Sequence, residues 1–303
     1  MKKSGFSLAL TLWIVAIMSL AAALYLGYAK KVVTKSRQLN SKLEVTFKAE
    51  SIAEFIKFYG STGDIKSMSI VNTKLPKYLS TFPKQLFIDS RKKVWDNTTI
   101  VLQDTAGLID IEDIDAVINY VCNQADGLKD KKDIIHDTIA DWLDRDSFST
   151  LNGAEDAFYE SYGYKARNSG YISSVDELFL LREMNEFNRT TQDKFLSSFV
   201  LSNNKQRNIL TLSDDMLQST YNISKSDLLQ LKKAKEISST RFISFFDRIY
   251  KENYNFERDG VSPSRIIKVR IISSDKNISK EIEFLIDFSL NNEKAFTILN
   301  YKD

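Results

Sequence analysis

The N-terminal region decides the fold class, because residues 6–29 read FSLALTLWIVAIMSLAAALYLGYA without one charged side chain. A helix of this length is about 36 Å long, which is enough to cross the hydrocarbon core of a bilayer with some tilt. Trp13, Tyr25 and Tyr28 are aromatic residues of the kind that favour membrane interfaces. The segment therefore predicts a transmembrane helix over residues 6–29.

The helical pattern continues beyond this apolar segment. Between Lys30 and Tyr59 there is no Pro or Gly, and apolar residues recur at helical spacing, at Leu39, Leu43, Phe47, Ile52, Phe55, Ile56 and Tyr59. Gly60 and Gly63 predict the end of the helix. We therefore expect one helix over residues 6–59, apolar in its first half and amphipathic in its second. A cleaved secretory signal, cut after the alanine run 21–23, is the alternative.

The first residues combine a basic start with a Gly-Phe pair, in the order Met1-Lys2-Lys3-Ser4-Gly5-Phe6-Ser7-Leu8. With the long helix that follows, this start resembles the leader of type IV pilins and of the pseudopilins of type II secretion. The resemblance implies that residues 1–5 are a prepilin leader. It also implies that prepilin peptidase cleaves between Gly5 and Phe6 and methylates the new N-terminus at Phe6.

The charges that flank the apolar segment do not fix its orientation. Lys2 and Lys3 precede it, and Lys30 and Lys31 follow it, so the excess of positive charge on cytoplasmic loops gives no clear answer here. The resemblance to pilins supplies the orientation instead. It implies a single-pass anchor in the inner membrane with the C-terminal domain in the periplasm.

Leu10 occupies a position where pilin-like proteins usually carry Glu, the fifth residue after the predicted cleavage. A carboxylate in hydrocarbon is costly unless it is paired, and within a filament the free amine of a neighbouring subunit supplies the partner. A subunit at the tip has no neighbour ahead of it, and Leu removes the cost. In lacking Glu at this position, the sequence resembles the K-type minor pseudopilin of type II secretion. A second interpretation is that Leu10 is one more lipid-facing residue of a plain anchor.

The middle of the chain carries a longer pattern. Residues 137–146 read DTIADWLDRD, residues 152–159 read NGAEDAFY, and residues 173–178 read SSVDEL. This order is similar to that of the K-type pseudopilin: a helix ending in an acidic cluster, a Gly-Ala-Glu-Asp stretch, then a Ser-Val-x-Glu-Leu helix start. In that family an all-helical domain is inserted into the pilin sheet. The resemblance therefore implies a helical insertion over residues 107–237.

The C-terminal region returns to β structure. Residues 266–272 and 282–288 alternate between apolar and polar side chains, and residues 296–301 form a third β-prone segment. We therefore expect an α+β, pilin-like fold in which the long N-terminal helix packs on a small antiparallel sheet. Residues 60–106 and 238–303 would form the pilin-like part around the helical insertion.

Five carboxylates lie close together in the middle region, at Asp141, Asp144, Asp146, Glu155 and Asp156. Clustered carboxylates repel one another unless a cation neutralises them, and Ca²⁺ prefers six to eight oxygen ligands. The spacing is not that of an EF-hand, and by itself it favours a solvated acidic loop. The resemblance to K-type pseudopilins implies calcium instead, with Asp144, Asp146, Glu155 and Asp156 as ligands and Asp141 as an additional member at the helix end.

Composition argues against other classes of site. One Cys, Cys122, and one His, His136, are too few for a zinc site of the usual kind. A Cys–His nucleophile pair is not excluded by counting, but no motif surrounds either residue. With 42 basic and 40 acidic residues, the charge balance gives no indication of a nucleic-acid partner.

The resemblance to K-type pseudopilins therefore implies a non-enzymatic minor pseudopilin that caps and initiates the periplasmic pseudopilus of a type II secretion system. Its expected partners are other minor pseudopilins, the major pseudopilin, prepilin peptidase and the inner membrane. Two alternatives stay open. One is a minor pilin of a type IV pilus or transformation system, and the other is a single-pass anchored periplasmic enzyme.

Overall fold

In the computed structural model, the structure describes residues 4–125, 127–202, 206–250, 258–275, 278–289 and 295–302. The α-helices are α1 Ser4–Thr62, α2 Ile114–Gln124, α3 Lys132–Leu143, α4 Asp156–Tyr159, α5 Arg189–Ser198, α6 Asp214–Tyr221, α7 Lys225–Ile237 and α8 Ser239–Tyr250. The strands are β1 Asp64–Lys66, β2 Ser69–Val71, β3 Gln85–Phe87, β4 Lys93–Trp95, β5 Thr98–Asp104, β6 Ile109–Asp110, β7 Phe199–Val200, β8 Arg207–Asn208, β9 Asp259–Gly260, β10 Ile266–Asp275, β11 Ile278–Asp287 and β12 Thr297–Lys302.

Helix α1 confirms the predicted long helix and runs three residues past Tyr59 to Thr62. Among the described residues it is the one helix long and apolar enough to cross a membrane, and its most apolar window is not buried against the rest of the protein. Its second half is different, because residues such as Ala49, Ile56 and Tyr59 are buried. The two halves of this helix therefore have different surroundings. The first half exposes an apolar surface that is compatible with lipid, and the second half packs into the protein core.

The second half of α1 packs on an antiparallel five-stranded sheet with the order β12-β11-β10-β5-β4. The central pairing joins β5 to β10, with Leu102 opposite Val269. Side chains from α1 and from the sheet form one core whose members include Ile52, Ile56, Ile100, Leu102, Val269, Ile271, Ile282 and Phe284. Alternate residues of β10 are buried, as the predicted period of two requires.

A second core lies in the helical unit, whose segments follow β5 and precede β10. It includes Val117, Val121, Ile139, Trp142, Tyr159, Leu178, Phe195, Leu217 and Leu231. Helix α8 lies beyond residue 237 and contributes Phe242, Phe246 and Tyr250 to this same core. A long helix, an antiparallel sheet and a helical unit between two strands of that sheet together make the predicted α+β fold.

The helix caps show where local sequence signals succeed. The side chain of Ser224 accepts a hydrogen bond from the backbone N–H of Asp227 and caps α7, as its Ser-x-x-Asp motif predicts. The similar motif at Ser174 begins a 3-10 helix, Val175–Leu180, without a side-chain cap. Its acid, Glu177, instead accepts hydrogen bonds from Ser173 and from the indole N–H of Trp142.

Candidate metal centre

The acidic cluster lies where α3 ends and the chain turns back toward α4. Asp141 is in the last turn of α3, and Asp144 follows the last helical residue. Glu155 immediately precedes α4. The loop between these two helices therefore brings Glu155 close to Asp144 and Asp141, which lie eleven and fourteen positions before it in sequence.

Three carboxylates converge closely. One oxygen from each of Asp141, Asp144 and Glu155 lies within 4.8 Å of the other two. This group contains two of the four ligands expected from the family resemblance, Asp144 and Glu155. The third member is Asp141, the additional residue at the helix end.

Glu155 has the least favourable surroundings of the three. The residue is 7% exposed, and neither of its buried carboxylate oxygens accepts a well-formed hydrogen bond from the described residues. Burial raises the pKa of Glu155, the negative charges of Asp144 and Asp141 raise it further, and the backbone N–H of Asp156 only partly opposes the rise. A buried carboxylate with so little hydrogen bonding is costly, so this position is suited to a cation.

Asp141 is fully buried and is held in place by the loop that follows it. Its Oδ2 accepts hydrogen bonds from the backbone N–H of Thr150 at 3.0 Å and from the hydroxyl of Ser149 at 3.3 Å. Gly153 also lies against this carboxylate, and a Cβ at that position would be 1.9 Å from Oδ2. Gly153 is therefore required for the loop to close over Asp141.

Two predicted ligands lie outside the group of three. Asp156 accepts a hydrogen bond from the backbone N–H of Ala166 at 2.9 Å and pairs with Lys165 at 3.5 Å. Asp146 is exposed and accepts a hydrogen bond from the backbone N–H of Phe148 at 2.8 Å. Both side chains thus support the fold of neighbouring loops.

The described residues supply no positive charge to this group. Among the described residues, no Lys or Arg forms an ion pair with Asp141, Asp144 or Glu155. Arg182, which lies nearby, donates to the carbonyl oxygen of Gly153 at 3.2 Å instead. An all-oxygen set with three negative charges and two unpartnered oxygens fits a hard divalent cation such as Ca²⁺.

The sequence prediction treated Asp141 as an additional member and did not identify Gly153, whereas the structure places Asp141 among the three converging carboxylates. The helical period could have identified Asp141, because it lies three residues after Thr138 and therefore on the buried face of α3. The other buried residues of this helix are Ile135, Ile139 and Trp142. The role of Gly153 depends on how the loop closes, which no local pattern shows. The predicted processing residues, Gly5 and Phe6, lie in the first turns of α1, and their cleavage and methylation stay predictions.

Residues 117–195, which contain this cluster, match the family described as Type II secretion system (T2SS), protein K. The predicted resemblance to K-type minor pseudopilins is confirmed. This match contains α3, the acidic loop, α4 and most of α5, the same region that carried the resemblance in the sequence.

A solved structure supports the predicted fold. The chain is similar to a chain of the GspK-GspI-GspJ complex from the type 2 secretion system of enterotoxigenic Escherichia coli, with a TM-score of 0.51 and 14% sequence identity. The match covers 89% of this chain and 98% of the other. A comparison with curated proteins gives no match. The structural likeness supports a pilin-like α+β fold, and the family match relates residues 117–195 to protein K of type II secretion.

Proposed function

We propose that this protein caps the tip of the periplasmic pseudopilus of a type II secretion system and helps to initiate its assembly. The observation that carries the proposal is the apolar first half of α1, in which Leu10 replaces the usual acidic residue. A subunit without this carboxylate has no need of the amine of a subunit ahead of it, so it is suited to the first position of a filament. The proposed role is structural, without catalysis.

The size and placement of the helical unit support the same position. Chain segments from residue 105 to residue 265 leave and rejoin the sheet between β5 and β10. In a helical filament each interior subunit has neighbours above and below, and a large unit on the sheet hinders that stacking. At the tip, one side of the subunit has no neighbour, and the unit can be accommodated there.

The expected partners are other minor pseudopilins, bound through the second half of α1. This half buries one face on the sheet but leaves Leu39, Leu43 and Phe47 exposed at intervals of four residues. An exposed apolar stripe at helical spacing is typical of a surface that another helix covers. We also propose that residues 6–29 anchor the protein in the inner membrane with the remaining domain in the periplasm.

The position in the filament is tested by labelling assembled pseudopili with an antibody against the helical unit. We expect label at one end of each filament, and label distributed along the length would contradict the proposal. Assembly should continue with Leu10→Ile but decrease with Leu10→Glu, since only the second places an unpaired carboxylate in the membrane. Equal assembly by both variants would count against the role given to Leu10.

Processing is tested separately by the mass of the N-terminal peptide from membranes that contain prepilin peptidase. A chain that begins at methylated Phe6 is expected, and Gly5→Ala should prevent the cleavage. An uncut chain would indicate a plain anchor, and a cut after the alanine run 21–23 would indicate a cleaved signal. Either result would contradict the pseudopilin proposal.

We further propose that the acidic loop binds calcium. Asp141, Asp144 and Glu155 would form the centre of the site, with Asp146 and Asp156 as the remaining predicted acids around it. The support is the pair of unpartnered Glu155 oxygens, which a cation would neutralise. Calorimetric titration of the metal-free protein with Ca²⁺ tests this, and an absence of binding heat together with an unchanged melting midpoint would remove the metal proposal.

A further inference from the structure

The chain passes between the sheet and the helical unit at two points that lie side by side. It leaves the sheet at the end of β5, at Asp104, and it returns through residues 258–265 to begin β10 at Ile266. Asp104 and Ile267 are opposite each other in the β5–β10 pairing. Asp104 is completely buried at this junction, so its carboxylate lies at the base of the helical unit.

The Asp104 carboxylate accepts hydrogen bonds from three separate segments. Its Oδ1 accepts from the backbone N–H of Ala106 at 3.2 Å, and from the backbone N–H and hydroxyl of Ser264 at 3.1 and 2.6 Å. Its Oδ2 accepts from the side-chain amide of Asn208 at 2.9 Å. The Thr211 hydroxyl lies 3.4 Å from the same oxygen but donates to the carbonyl oxygen of Asn208 at 3.0 Å. One carboxylate thereby joins the outgoing strand, the returning segment and the interior of the helical unit.

The hydrogen-bond network extends to the β1–β2 turn, which follows α1 in the chain. The amide of Asn208 also donates to the carbonyl oxygen of Ser67, in the turn between β1 and β2. The amide of Gln103 donates to the carbonyl oxygen of Thr211 at 3.1 Å. A Cβ at Gly107 would lie 2.5 Å from that same oxygen, so a glycine is needed for this close approach.

A second buried contact joins the two parts. Lys235 in α7 forms an ion pair with Asp89 at 2.9 Å, and the Asp89 side chain is 2% exposed. Asp89 lies just after β3, on the sheet side, and also pairs with Arg91 at 3.0 Å. Burial lowers the pKa of Lys235, and the charge of Asp89 opposes that shift.

We propose that Asp104 is the hub of a fixed joint that holds the helical unit in one orientation on the α1–sheet body. Hydrogen bonds are directional, and buried donors that lose their acceptor cost free energy. Any rotation of the helical unit about its two connections would separate the Asn208 amide from Asp104. The joint is independent of calcium and of the place of the protein in a filament. Its consequence is that a contact made on the helical unit is transmitted to α1 without hinge motion.

The joint is tested by electron spin–spin distance measurements on the full chain in detergent, with Cys122 left buried. Labels at Lys233→Cys, exposed on α7, and Ser279→Cys, exposed on β11, report the orientation of the helical unit. The parent protein should give one narrow distance peak. Asp104→Ala should lose that single peak and give a broad distribution, and Asn208→Ala, which removes one donor, should broaden it to a smaller extent.

The control is Glu177→Gln, which perturbs a buried, hydrogen-bonded carboxylate inside the helical unit and away from the joint. It should lower the melting midpoint but leave the distance peak narrow. Narrow peaks in both joint variants would overturn the proposal, as would equal broadening by the control. Because Asn208→Ala retains the buried carboxylate, it keeps the test open if Asp104→Ala does not fold.

Discussion

Asp104 and Glu155 are both buried carboxylates, but their surroundings are opposite. Asp104 accepts four hydrogen bonds from three residues, Ala106, Asn208 and Ser264. Glu155 accepts no well-formed hydrogen bond from the described residues and faces two other carboxylates. Burial raises the pKa of both groups, but donors oppose the shift at Asp104 while Asp144 and Asp141 add to it at Glu155. Burial alone therefore does not distinguish a structural carboxylate from a candidate ligand, whereas the neighbouring donors do.

The largest expected effect is that of Asp104→Ala on stability. The substitution leaves several buried donors without an acceptor, and the free energy of unfolding should fall by about 3 kcal/mol. Chemical denaturation of the full chain in detergent measures this change. The loss should be the same with calcium and with chelator, and a loss found only with calcium would remove the distinction between the two sites.

In the absence of metal, Glu155→Gln should increase the stability of the protein, in contrast to Asp104→Ala. It removes one of three adjacent negative charges, so the metal-free protein should gain about 1 kcal/mol in stability. Calcium at a hundred times its dissociation constant should stabilise the parent protein by about 2.7 kcal/mol and this variant much less. Melting curves with calcium and with chelator measure both effects. A variant that responds to calcium like the parent would show that Glu155 is not a ligand.

Gly153→Ala tests whether loop closure shapes the acidic group. The added methyl would collide with the Asp141 carboxylate. The carboxylate would have to move, and this movement should weaken calcium binding about tenfold, or 1.4 kcal/mol. Ser147→Ala, an exposed change in the same loop, is the matched control and should bind like the parent. Calorimetric titration compares the two variants, and equal affinity would contradict the role of Gly153.

The effect of calcium should decrease as the pH falls. Because the pKa of Glu155 is raised in the folded protein, the metal-free protein loses stability as the pH rises through that pKa. Calcium binds the deprotonated form and so competes with the proton. The calcium-dependent increase in melting midpoint should therefore shrink in mild acid sooner than for an ordinary Glu. A pH-independent increase would contradict this explanation.

Asp156→Asn should have the smallest effect on stability and on calcium affinity, although the family resemblance implies that Asp156 is a ligand. In the structure its carboxylate accepts a hydrogen bond from Ala166 and pairs with exposed Lys165. We expect a loss of about 0.5–1 kcal/mol in stability and little change in calcium affinity. A large loss of affinity would show that Asp156 is a ligand, as the family resemblance implies, and that the loop rearranges on binding.

Glu177 shows which features of a buried carboxylate can be predicted from the sequence and which cannot. The spacing of Ser174 and Glu177 is that of a capping box, and a 3-10 helix does begin at Val175. The Glu177 carboxylate, however, accepts hydrogen bonds from Trp142 and Ser173. Local patterns determine where a helix begins, because the backbone groups involved are neighbours in sequence. They do not determine which distant donor a buried carboxylate meets.

By itself, the sequence determined the long helix α1, the alternation in β10 and β11 and the position of the acidic cluster between two helices. These features depend on hydrophobic period and composition, which are properties of neighbouring residues. Only the tertiary structure decided that β5 pairs with β10, that Asp141 joins Asp144 and Glu155, and that Asp104 lies at the junction of two cores. Those arrangements join segments that are far apart in the chain, and their geometry follows from packing and from the need to satisfy buried polar groups.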